Sequence, residues 1–119
     1  MATAICWAVL AAFHALPALA LFRPELISKL YGVEAGSDVF LLLQHRAALF
    51  LAVSAVCAWA AFRPETRQLA AAAVGVSMLS FLALYWSGGS PPALRGVAAA
   101  DLAGLPFLFF AAWRAFRPA

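Results

Sequence analysis

Charge is what this sequence has least of: 11% of its 119 residues are Asp, Glu, Lys or Arg. A soluble domain of this length carries about 25%, and with 66% hydrophobic residues the surplus apolar surface requires lipid. The basic residues that remain give a net charge of +3. They are dispersed among helix ends and form no basic patch, which excludes nucleic-acid binding. Cysteine is scarce too. Cys6 and Cys57 make no CxxC or zinc-finger spacing. They fall near the terminal ends of the first two apolar segments, where a cytoplasm-facing position disfavours a stable disulfide and small apolar packing is the expected role.

What is present is long apolar runs. A transmembrane helix needs about 20 largely apolar residues to cross a hydrocarbon core of about 30 Å. Four segments approach or meet that length: Thr3 to Phe22, Val39 to Phe62, Leu69 to Trp86 and Leu94 to Trp113. A soluble helical bundle would need a polar face on each helix, whereas Leu69 to Trp86 has no charge and only two serines in 18 residues. The expected fold is therefore all-α, one four-transmembrane-helix bundle over residues 1–119. Ala18-Leu19-Ala20 resembles a signal-peptide processing site, but the start lacks a positive n-region, so Thr3 to Phe22 reads as a true span.

The segment ends share one punctuation. Phe22-Arg23-Pro24, Phe62-Arg63-Pro64 and Phe116-Arg117-Pro118 each close a span with an interfacial cation and a helix breaker. The first two extend to Phe-Arg-Pro-Glu, which recurring helix-end chemistry explains without a duplication. Ser37-Asp38 can cap the second helix, and Ser90-Pro91-Pro92 can start the fourth with serine as its N-cap.

Between the first two spans, Leu26, Ile27, Leu30 and Tyr31 fall on one helical face, a spacing that suits a short interfacial helix and equally an ordinary loop with a few anchors. Basic residues number four beside the termini (Arg63, Arg67, Arg114, Arg117) against three opposite (Arg23, Lys29, Arg95), which favours cytoplasmic termini by a narrow margin. Trp7, Trp59 and Trp113 on the terminal side, with Tyr31, Tyr85 and Trp86 opposite, read as two aromatic belts.

The polar residues inside the spans carry the functional information, because a charge at membrane depth costs several kcal/mol and persists where it has a partner or a task. They are His14, Gln44, His45, Arg46, Ser77, Ser80 and Asp101. At about 1.5 Å per residue, His14 lies about 12 Å inside the membrane, His45 and Ser80 about 9 Å, and Arg46 and Asp101 about 10 Å. All four helices thus bring a polar group to one level in the half away from the termini. Arg46 and Asp101 are the natural charge pair. His45 is rotated about 100° from Arg46 on one helix, so the two cannot point alike. Pro17, after His14, can bend the first helix and open space beside it, and Pro106 can do so on the fourth.

These residues resemble a family of small bacterial four-helix membrane proteins without an established activity. The likeness rests on His14-Ala15-Leu16-Pro17, Leu30-Tyr31-Gly32, His45-Arg46-Ala47-Ala48-Leu49-Phe50, Ser80-Phe81-Leu82 and Asp101, and spans nearly the whole chain. Members sometimes carry a phosphopantetheine adenylyltransferase label, which this sequence does not support: it has neither an HxGH-type motif nor alternating strands for a parallel sheet. The resemblance implies a fold and a motif but no reaction, and the looser likeness to DoxX-like and sterol-isomerase-type bundles concerns architecture alone.

Three functions fit this pattern. One is a site for a lipophilic small molecule, with His14, His45 and Asp101 as acid–base groups and Arg46, Gln44, Ser80 and Tyr85 as binding groups. The second is a structural or accessory subunit whose polar network fixes helix register or joins copies of the chain, with Ala71, Gly75, Ala98 and Ala99 allowing close packing. The third is haem or metal ligation by His14 and His45, although no HExxH or CxxCH motif accompanies them and no cofactor is named by the sequence.

Overall fold

The computed structural model describes residues 1–118. Among them are five α-helices and no strand: α1 (Ala2–Ala18), α2 (Glu25–Tyr31), α3 (Asp38–Phe62), α4 (Arg67–Ser87) and α5 (Arg95–Phe116). Short 3-10 turns extend α1 through Leu19–Leu21 and lead into α4 and α5 at Pro64–Thr66 and Pro92–Leu94. With those turns, four helical segments of 20 to 25 residues are long and apolar enough to cross a membrane. The chain is an integral membrane protein of the four-helix type.

The expected punctuation is where the helices stop. Phe62 and Phe116 are the last residues of α3 and α5, and Arg63 and Arg117, each preceding a proline, turn to extended backbone because proline's ring excludes its predecessor from the helical region. The repeated Arg-Pro-Glu string makes the same local ion pair twice, Arg23–Glu25 at 3.1 Å and Arg63–Glu65 at 3.6 Å, both exposed. At Glu25 a hydrogen bond from its own backbone amide, and then the Arg23 guanidinium, hold the carboxyl below its ordinary value. Arg67 reaches back to the carbonyls of Ala60 and Ala61, at 2.9 and 3.4 Å, and so satisfies the open end of α3.

Ser37 caps α3 as expected, its hydroxyl accepting from the Phe40 amide at 3.1 Å. Ser90 does not cap α5. Its amide donates back to the Tyr85 carbonyl at 2.9 Å while Gly89, at φ +89°, donates to Trp86, which is a Schellman closure of α4. Serine is thus spent on ending one helix, and the prolines begin the next.

Helix α1 packs on α3 and α5, and α4 on the same two, so the bundle closes as a ring in the order α1, α3, α4, α5. Its terminal half is tightly filled: Trp7, Leu10, Cys57, Ala60, Ala70, Val74, Met78, Leu108 and Ala111 are buried together. Lipid is as apolar as these side chains, so close contact rather than hydrophobic burial holds them. Trp7 is fully buried and belongs to this core rather than to an aromatic belt, whereas Trp59 and Trp113 are exposed. Both cysteines are free, Cys57 within the core and Cys6 packed on it.

The other end is capped by α2. Glu25 opens it and Lys29 closes it, both complementing the helix dipole, and Gly32 at φ +66° ends it. Ile27 is buried with Ala20 and Ala47, with Leu26 and Tyr31 beside them. Leu30, expected on the same face, is 45% exposed at the edge.

A neighbouring side chain packs against Gly104, not against Gly75. A β-carbon on Gly104 would meet Met78 Cε at 2.7 Å, whereas one on Gly75 would meet nothing within 4 Å. Gly104→Val should therefore destabilise the bundle by about 1–3 kcal/mol. Gly75→Ala should stabilise it by about 0.5–1 kcal/mol by removing glycine's conformational freedom. Thermal unfolding of both variants in detergent checks the opposite signs.

Candidate functional site

Arg46 lies on α3 one turn before Phe50, the spacing at which two helix side chains meet. Its guanidinium carbon is 4.4 Å from the centre of the Phe50 ring, 5.3 Å from Phe81 on α4 and 5.8 Å from Tyr31 on α2. Nη1 also donates to the Tyr31 hydroxyl at 2.7 Å. Three ring faces and one oxygen thus surround the charge, and each ring contributes more once water is removed. Tyr85 stacks behind Phe81 at 6.1 Å and backs this cage without touching Arg46.

The expected direct pair between Arg46 and Asp101 is not formed. Among the described residues the ion pairs within 4 Å are the two at the helix ends. Asp101 instead stands on α5 across an open space, and no side-chain hydrogen bond ties it down among the described residues.

His14 is 3% exposed. Its Nδ1 lies 2.9 Å from the Leu10 carbonyl, which can only accept, so Nδ1 carries a hydrogen. In the neutral ring Nε2 is then the acceptor, and the Ser77 hydroxyl at 3.3 Å donates to it. The ring also packs on Phe50, with centres 5.9 Å apart. A single imidazole therefore joins α1 to α3 and α4.

Around these residues the packing loosens into two cavities rather than the one expected. The first, of about 380 Å³, lies between the end of α1, α2 and the start of α5, with Phe50 as its inner wall; His14, Tyr31 and Asp101 face it amid Phe13, Pro17, Leu26, Leu30, Gly96 and Val97. The second, of about 360 Å³, lies between α3 and α4 and is lined by Arg46, Ser77, Ser80, Phe50 and Phe81 among aliphatic side chains. Phe50 belongs to both. The contact between His14 and Ser77 crosses the partition.

The remaining expected residues divide. Ser80 lines the second cavity, with its hydroxyl donating to the Val76 carbonyl one turn back. Gln44 is half-buried and lines neither space, nor does Tyr85. His45 is exposed on the outer face of α3 and shares no cavity with His14. Both nitrogens of His14 are already engaged by protein atoms, so the two histidines offer no common axial position for haem. No group of three His, Cys, Asp or Glu side chains is placed to hold a metal ion among the described residues.

Tyr31, Phe50 and Phe81 are participants that sequence reasoning did not assign to the site, and Ser77, singled out as an intramembrane polar residue, was given no role in it. The i, i+4 spacings of Arg46 with Phe50 and of Ser77 with Phe81 were signals available for three of them. Comparison of the chain with protein-family profiles, with curated proteins and with solved structures gives no match. Its function is therefore argued from this geometry.

Tyr31→Phe keeps the ring of the cage and removes the oxygen. A hydrogen bond to a charged donor contributes about 1.5–3 kcal/mol in water-soluble proteins, and polar contacts in membranes average nearer 0.6. The variant should lose about 1 kcal/mol of stability, and Arg46→Ala, which empties the cage, should lose more. Thermal melts of the purified variants measure both.

Proposed function

We propose that this membrane protein binds a lipophilic small molecule in the cavity between α1, α2 and α5, with His14 and Asp101 as its polar contacts. One observation carries the reading: an apolar space of about 380 Å³ holds two titratable side chains from different helices. Ligand sites have this character, concave and mostly apolar with a few convergent polar groups that set orientation. The volume lies at the lower end of the usual range of about 300–1,000 Å³, which fits a small, compact molecule. Asp101 has no hydrogen-bond partner among the described residues and is free to meet a ligand donor. His14 is held in one tautomer by Leu10. With a ligand bound, the pair can exchange a proton with it, His14 through Nε2 after displacement of Ser77 and Asp101 through its carboxyl. We place the termini on the cytoplasmic side of a bacterial membrane, following the four basic residues at that end.

Gly96 gives a direct test because a β-carbon there meets nothing within 4 Å and the residue lines the cavity. Native mass spectrometry and absorption spectra of the detergent-purified protein should show a co-purifying small molecule. Gly96→Phe, which fills the space, should lose it with an unchanged circular-dichroism spectrum, as should His14→Ala. An adduct retained in full by Gly96→Phe would refute the assignment.

A second reading, self-association, is favoured by His45. Helix α3 is the least buried of the four spans, and its outer face carries Leu41, Leu42, His45 and Leu49 toward lipid. An imidazole about 9 Å inside the membrane edge gains by meeting a polar partner on another copy. On this reading the wild type is oligomeric by light scattering in mild detergent and His45→Ala shifts it toward monomer, while a monomeric wild type removes the reading.

A further inference from the structure

The second cavity is not used by that function, yet Arg46, which lines it, has no carboxylate within 4 Å among the described residues. Guanidinium carries five N–H donors. One goes from Arg46 to Tyr31, and the described residues offer no partner to the others. The only fully buried side-chain nitrogen or oxygen lacking a partner among the described residues is Trp7 Nε1. The free donors of Arg46 are therefore accessible, and the residue lines the groove between α3 and α4. The aromatic cage lowers the cost of the charge without neutralising it, since no carboxylate comes within 4 Å among the described residues.

The remaining lining narrows the occupant. Both serines have spent their hydrogens, Ser77 on His14 and Ser80 on the Val76 carbonyl, so Arg46 is the donor for an incoming group. Its planar fork matches a carboxylate in two parallel hydrogen bonds. Beyond the cage the groove is aliphatic, and its rim residues Leu49, Val76 and Leu84 are 55%, 70% and 71% exposed on the side that faces lipid. A chain leaving this groove would run into the bilayer.

We propose that the α3–α4 groove is a second, separate site that takes the carboxylate of a single-chain amphiphile from the membrane, the headgroup seated on Arg46 and the tail lying along α3 and α4. Charge complementarity selects an anion. Depth selects this anion: Arg46 lies about 10 Å inside the span edge, a level that a carboxylic acid reaches by crossing as the neutral form. A diacyl phospholipid would have to draw a phosphodiester and its glycerol into hydrocarbon to reach it.

The probe is 11-(dansylamino)undecanoic acid, compared with its methyl ester, on the full chain in dodecyl maltoside. Saturable fluorescence enhancement is expected for the acid, with the ester binding at least about tenfold more weakly, as loss of a charge-assisted pair requires. Arg46→Gln should bring the acid to the level of the ester, and Arg46→Lys, which keeps the charge but loses the fork and its stacking, should retain only part of the difference. Val76→Trp, which fills the groove from its exposed rim without touching the core, should weaken acid and ester alike. Gly96→Phe should leave acid binding unchanged, which separates this site from the first cavity. Equal binding of acid and ester by the wild type overturns the proposal, as does full acid binding by a folded Arg46→Gln. Loss of acid binding in Gly96→Phe would move the ligand to the other cavity. Displacement of the acid by an equal mole fraction of phosphatidylglycerol would identify a phospholipid headgroup instead. If Arg46→Gln does not fold, the ester comparison and Val76→Trp still decide, since both keep Arg46 intact.

Discussion

A single cation that must be kept in a nonpolar medium organises one half of this protein. Arg46 carries a guanidinium, to which hydrocarbon offers no hydration. The chain answers with Phe50 from the same helix, Phe81 from α4, and the ring and hydroxyl of Tyr31 from α2. Tyr31 can reach this point only because α2 folds back over the bundle end, anchored by Ile27 against Ala20 and Ala47 and stopped by Gly32 in the left-handed conformation. One guanidinium thus ties α2, α3 and α4 together at this level.

The two halves of the bundle are built on different terms. Toward the termini, alanines at 60, 70 and 111 are buried, and Trp7 and Met78, the latter with its tip against Gly104, fill the space between the helices. Toward the other end, aromatic side chains and two cavities replace the small residues. The rigid half supplies the support on which the loosely packed half can hold a volume open. This matters in a membrane, where no hydrophobic force between helices would otherwise keep such a bundle together.

Helix ends and span lengths were legible in the sequence because each depends on local chemistry or on simple rise per residue. Phe62-Arg63-Pro64 stops a helix wherever it occurs, and Ser37 caps α3 from its own neighbourhood. Rotation about the helix axis was not legible. A soluble helix reveals its inner face by a polar outer one, but α3 is apolar on every side, so nothing local distinguishes the direction of Arg46 from that of His45 about 100° away. For the same reason Trp7 read as a belt residue and proved to be core, and of the small residues read as packing positions Ala71 and Ala98 are buried while Gly75 has open space beside it. The pairing of Arg46 with Tyr31 depends on the path of a loop through two glycines of positive φ, Gly32 and Gly36. Arg46 and Asp101 attract each other in sequence reasoning because opposite charges are the simplest partners, but three rings met the need first.

Phe50 forms one wall of each cavity and bears on both Arg46 and His14. A partition made of a single side chain gives a protein of this size two compartments, one bounded by α1, α2 and α5 and the other by α3 and α4.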